Sequence, residues 1–162
     1  MGVTRVVGEG MKQLDVMLAG LDDKVGKVGW FDGAKYDTGE TIASVAATQE
    51  LGNSAHYIPP RPFMRPTIAE RQNEWRGTAE KGAREIVKGK STTATLAEKI
   101  GLKAAGDIRE KIASIWTPKL SDFTIQERRD RKVGKKTIGS LDKPLIDTGE
   151  MLNSLTNSVE DA

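Results

Sequence analysis

Apolar residues recur at two spacings along this chain, and the spacing sorts it into helices and strands. Met11, Leu14, Met17, Leu18 and Leu21 share one side of a helix expected from about Glu9 to Leu21, after a short strand or extended lead-in at Val3 to Val7. From Lys24 to Phe31, Val28 and Trp30 alternate with polar or small neighbours, which is the period of a strand. Asp32-Gly33 turns the chain into a loop through Thr38-Gly39. An amphipathic helix then fits Thr41 to Leu51, with Gly52 placed to end it. Pro66 suits a first helical turn, where a missing N–H costs nothing. The helix it opens runs to about Lys88 with the stripe Ile68, Trp75, Ala79, Ala83 and Ile86, and Gly89-Lys90 breaks it. Thr95 and Glu98 have capping-box spacing for a second long helix, whose stripe is Leu96, Ile100, Ala104, Ile108, Ile112 and Ile115. Trp116-Thr117-Pro118 terminates it, since the residue before a proline avoids helical dihedrals.

Beyond that point the elements shorten. Thr124, with Glu127 three residues on, predicts a capped helix to about Lys132. The stretch from Val133 to Lys143 is rich in Gly and Lys and reads as a mobile loop. Asp147, with Glu150 three residues on, caps a last short helix, and Leu155 to Val159 adds a closing strand. No internal repeat or linker divides the chain, so residues 1–162 read as one domain. The expected fold class is α+β: two long helices packed on a small, mostly antiparallel sheet, with an extended proline-rich arm and a mobile basic loop.

Composition narrows the class. Hydrophobic residues make up 37% of the chain, charged residues 30% and aromatic residues only 5%, so the core is built mostly of Leu, Ile, Val and Ala. A net charge of +2 does not by itself imply a nucleic-acid partner. The absence of cysteine removes disulfides, thiolate zinc sites and a thiol nucleophile. No apolar run approaches a signal peptide or a membrane span, which predicts a soluble product made in the cytoplasm.

Candidate chemistry is sparse. Gly89-Lys90-Ser91-Thr92 imitates the end of a phosphate-binding loop, but Arg84 stands where that pattern needs a glycine, and a helix precedes it instead of a strand. A helix–helix turn is the better account. His56 is the only histidine and has no triad or metal partners at suitable spacing, and Asp22-Asp23 reads as a solvated helix end. The expectation is no enzyme activity, no cofactor, no metal and no small-molecule substrate.

Two segments carry more. Pro59, Pro60, Pro62 and Pro66 stiffen the stretch from Ile58 to Pro66 and delete backbone donors. It reads as a polyproline-like ribbon that projects Arg61, Phe63, Met64 and Arg65, with Ile58 at its base. Phe63 and Met64 must either fold back on the chain's own core or dock on a neighbour, and docking at a subunit interface is the favoured reading. Arg128, Arg129, Arg131, Lys132, Lys135 and Lys136 form the one dense basic run. It is either a solvated loop or a sequence-blind contact with DNA phosphates, because no stacking aromatic or base-reading helix accompanies it.

Three places in order give the chain a resemblance: Lys27-Val28-Gly29-Trp30 leading to Gln49-Glu50-Leu51-Gly52, then Ile58 to Pro66, then Lys143 to Leu155. Together they resemble the neck and tail-completion (head–tail joining) proteins of tailed bacteriophages. Members of that family often carry an aromatic residue or His near the Glu-Leu-Gly position, where this chain has Gln49 and Leu51. The resemblance implies a structural virion protein without enzyme activity, located at the neck or tail. Its implied partners are copies of itself in a ring, a hexamer by the family's pattern, and neighbouring neck or tail proteins, with genomic DNA passing along the axis. The alternative expectation is a non-sequence-specific DNA-binding accessory protein, which rests on the basic run alone.

Overall fold

The structure, a computed structural model, describes residues 23–31, 33–132 and 134–162. The expected elements at Val3 to Val7 and Glu9 to Leu21 lie outside the described residues. Strand β1 (Lys24–Gly29) is followed by helix α1 (Ile42–Leu51), a 3-10 turn (Ser54–His56), helix α2 (Met64–Val87) and helix α3 (Thr93–Ser114). Helix α4 (Asp122–Asp130), helix α5 (Glu150–Ser154) and strand β2 (Thr156–Asp161) complete the chain. This is a mixed helix and sheet fold, with the two strands paired antiparallel from Lys24↔Asp161 to Gly29↔Thr156.

Hydroxyl side chains set where helices begin. Thr41 caps α1 by accepting from Ser44 N–H, Thr92 caps α3 by accepting from Thr95 N–H, and Ser121 caps α4 by accepting from Thr124 N–H. The expected caps at Thr95 and Thr124 are therefore corrected by three residues. Each is the inner member of a hydroxyl pair whose outer member caps, Thr92 with Thr95 at 3.0 Å and Ser121 with Thr124 at 2.9 Å. The expected Asp147 cap is also corrected: Gly149, at φ 81°, occupies the N-cap of α5 and makes no side-chain cap bond. At the end of α1, Gly52 has φ 78°, and a Cβ there would stand 2.9 Å from the Pro60 ring and 3.0 Å from the Ile58 carbonyl, so only glycine fits.

Helices α2 and α3 run antiparallel. Glu70 Oε1 meets Lys111 Nζ at 2.6 Å, Glu74 meets Lys103 at 2.9 Å, and Trp75 Nε1 donates to Asp107 at 2.7 Å. The sheet lies along α3, where a Cβ on Gly101 would stand 2.9 Å from the Asn157 side chain and one on Gly26 would stand 3.4 Å from the Ala97 carbonyl. The expectation of two long helices on the sheet is thus corrected: α3 carries the sheet and α2 packs on α3. The reason is its small size, because a two-stranded sheet has room for one helix across its width. The core sits at the end of α3 away from Thr93, where Ile108 and Ile112 meet Phe63, Leu155, Met151, Ile42 and Ala46.

Candidate functional site

The proline-rich segment does not project. Its backbone turns into α2 at Met64, so Met64, Arg65 and Pro66 lie in the first helical turn. Phe63 is 0% exposed in the chain's own core, edge-on to Trp30 with ring centroids 5.8 Å apart. Arg61 is 4% exposed. It donates from Nε to the Pro118 carbonyl at 2.7 Å, from Nη2 to the Lys119 carbonyl at 2.9 Å and from Nη1 to Gln49 Oε1 at 3.0 Å. Ile58 is half-buried, Met64 packs against the core, and Arg65 is exposed but paired with Glu50 at 3.0 Å. The interface expectation is corrected for Arg61 and Phe63, since a large apolar ring and a charged fork gain more from the chain's own core and carbonyls than from solvent, whereas Ile58, Met64 and Arg65 keep exposed surface.

Glu50 explains why the arm folds inward. Its carboxylate is buried under the start of α2 and accepts from the backbone N–H groups of Phe63 (2.6 Å), Met64 (2.9 Å) and Arg65 (3.2 Å). These are orphan donors at a helix N-terminus, where a negative charge is favoured. Burial alone would raise the Glu50 pKa, but those donors and the Arg65 side chain outweigh it and hold the carboxyl below its usual range. One carboxylate thereby does the capping that Phe63, the N-cap, cannot.

The loop expected to be mobile is moored. Val133 lies outside the described residues. From Gly134 to Lys143 the chain is irregular, yet Asp147 gathers it: its carbonyl accepts from Ile138 N–H at 2.7 Å and its carboxylate from Thr137 Oγ1 at 2.6 Å. Arg131 meets the same carboxylate with both guanidinium nitrogens, at 3.1 and 2.5 Å. Burial opposes ionisation of Asp147, but the bonds from Arg131 and Thr137 and the charges of Arg128 and Arg131 hold its pKa low. Lys135 pairs with Glu150 at 2.5 Å. Arg128 is buried and donates from Nη1 to the carbonyls of Leu141 (3.0 Å), Lys143 (2.8 Å) and Ile146 (3.3 Å). Its burial pushes its pKa down, Asp147 pulls it up, and Arg131 adds a second downward push. Of the six residues expected to meet DNA, Arg128 and Arg131 are thus structural and Lys135 is paired. Arg129, Lys132 and Lys136 remain exposed.

Two further anchors carried no sequence signal as single residues. Lys143 is buried, donates to the Ala113 (2.6 Å) and Ile115 (2.9 Å) carbonyls at the end of α3, and lies 3.7 Å from the centre of the Trp116 ring. Burial pushes its pKa down. Arg109 donates to the carbonyls of Leu152 and Leu155 at the end of α5.

Arg61, Arg128, Arg131 and Asp147 line a groove of about 910 Å³ between the turn at residues 53–58, the turn at 36–40, α4 and the loop before α5. Ile58, Leu145 and Met151 form an apolar part of its lining. Tyr57, at φ 54° and 93% exposed, and Phe123, 70% exposed, stand on it. Tyr36 lines it too, its hydroxyl pushed up to about 12 by burial first and then by Glu150, Asp147 and Glu40. His56 lies at the end of the 3-10 turn, exposed. Gly89, at φ 69°, closes the α2–α3 turn, so the phosphate-loop mimic is a helix–helix connection. Among the described residues no cluster of acidic, histidine or cysteine side chains could hold a metal, and no helix is long and apolar enough to cross a membrane.

The arrangement binds backbone to backbone through charged side chains. Comparison with known proteins returns no match to a family model, a curated protein or a solved structure.

Proposed function

We propose that the chain is a structural subunit of the head–tail joint of a tailed bacteriophage, a neck or tail-completion protein that works without catalysis and without a cofactor. It assembles with copies of itself in a ring around the DNA path and contacts neighbouring neck or tail proteins in the virion. The observation that carries this reading is spatial. The three segments on which the resemblance rests are far apart in the chain and form one unit in the fold. Trp30 stacks edge-on with Phe63 and donates from Nε1 to the Met151 carbonyl at 2.7 Å. Gln49 and Glu50 hold Arg61, Phe63 and Arg65. A resemblance confined to residues that support one another is what a shared scaffold would leave, whereas scattered chance matches would have no reason to meet.

A reconstruction of the virion neck tests the proposal. The expected outcome is density for this chain repeated symmetrically around the DNA channel, joined by heterologous contacts that close into a ring. A single copy off the axis overturns it. The DNA-binding alternative retains Arg129, Lys132 and Lys136 as exposed cations, and strong salt-dependent binding of duplex DNA by the isolated chain would favour it.

A further inference from the structure

The segment carrying α4 is attached to the rest of the molecule in an unusual way. Helix α4 has no buried apolar residue, its largest apolar side chain, Phe123, is 70% exposed, and the side chain it does bury is the charged Arg128. Its attachments are polar and sit at its two ends. Before the helix, Arg61 holds the Pro118 and Lys119 carbonyls. At its end, Arg128 holds the carbonyls of Leu141, Lys143 and Ile146, and Arg131 grips Asp147. The groove lies between α4 and the turn at residues 53–58, and α4 contributes no residue to the buried apolar core, its Ile125 being half-buried. The moorings also work against one another, because the positive charge of Arg128 lowers the pKa of Arg61 after burial has already done so.

We propose that α4 is a flap: it swings off the body as an intact helix, pivoting about residues 115–121, and widens the groove when the Arg128 and Arg131 moorings release. Elements that move are drawn from the least packed part of a fold, and here that part is defined by hydrogen bonds to charged groups and not by buried area. The Asp147 carboxylate is the release point, since it takes both nitrogens of Arg131 and lies 3.8 Å from Arg128. The inference stands apart from the head–tail reading and does not depend on it.

Hydrogen exchange on the full chain is the first measurement. Amides of α4 should exchange at least about a hundredfold faster than those of α3 around Ala104 to Ile112, and faster still in molar salt, which screens the partly exposed Arg131–Asp147 pair. Because the chain has no cysteine, Phe123→Cys and Gln72→Cys place two spin labels uniquely, one on α4 and one on the exposed side of α2. Their distance distribution should show a minor, narrow, longer population that grows about tenfold in Asp147→Asn, the loss expected for a charge-assisted bond. Arg131→Gln removes the same mooring from the other side if Asp147→Asn fails to fold, and exchange in the unmodified chain needs neither. Exchange of α4 at the rate of α3 overturns the proposal. So does a single distance in every variant, or a broad distribution that marks unfolding of α4 in place of a swing.

Discussion

Glu50 and Lys143 are charged side chains turned inward to finish helices that no neighbouring residue could cap. Their removal should therefore cost more than a surface charge does. Glu50→Ala would leave the donors of Phe63, Met64 and Arg65 without an acceptor inside the fold, a loss of about 3 kcal/mol in urea denaturation. Because the carboxyl titrates lower in the folded chain than in the unfolded one, its contribution is complete above the ordinary carboxylate range and fades as pH falls through the folded value. Glu50→Gln should accordingly flatten the acid limb of a stability–pH profile, and an unchanged limb would count against the role. Phe63→Ala should destabilise the isolated subunit by about 3–5 kcal/mol, because it empties a fully buried ring position beside Trp30. That corresponds to a melting shift of roughly 10 °C. A small shift would put Phe63 back at an interface. The proline spacing was legible as stiffness, but not its direction, because nothing local to Ile58–Pro66 reveals the carboxylate of Glu50 waiting beneath it.

At the level of elements, the long helices were legible because their apolar stripes persist over several turns and outlast any local ambiguity. Their starts were less so. Thr92 and Thr95 both satisfy the chemistry of a cap, and only the backbone decides which one leaves the helix; the hydroxyl pair three residues apart, repeated at Thr41/Ser44 and Ser121/Thr124, is the signal that reads all three correctly. The basic run was legible as charge and misleading as surface. Two of its arginines are consumed by carbonyls and a carboxylate that lie 13 to 18 residues further on, beyond the reach of local pattern. Lys143→Met, which keeps the stem and loses the donors, should weaken the fold by about 1–2 kcal/mol and raise exchange in the last turn of α3. Equal exchange there with and without the change would show that water replaces the ammonium at no cost.

For the whole molecule, the separation of structural from exposed cations makes a sharper test of DNA contact than charge counting. Neutralising Arg129, Lys132 and Lys136 together should leave the melting temperature within a few degrees, since exposed charges contribute little. Any duplex affinity should fall, and its salt slope should flatten by up to about three counterions. Neutralising Arg128 and Arg131 should instead damage folding first, whatever it does to DNA. If the exposed triple leaves binding and particle DNA retention untouched, the run is scaffold and solvent face only.

The sheet has one more implication, and it concerns time. Lys24 and Asp161 are partners across 137 residues of chain, and the Ala162 N–H reaches back to the Asp23 carbonyl. The five helices lie between the two strands in sequence, so the ladder closes a very long loop and is an entropically distant event among the described residues. Helices α2 and α3, joined by a short turn, can pair long before that. The strands should consequently contribute nothing to the folding transition state, with Val28 substitutions speeding unfolding and sparing the folding rate. On the ribosome, β1 emerges before α1 to α5 and waits for a partner made only after all of them.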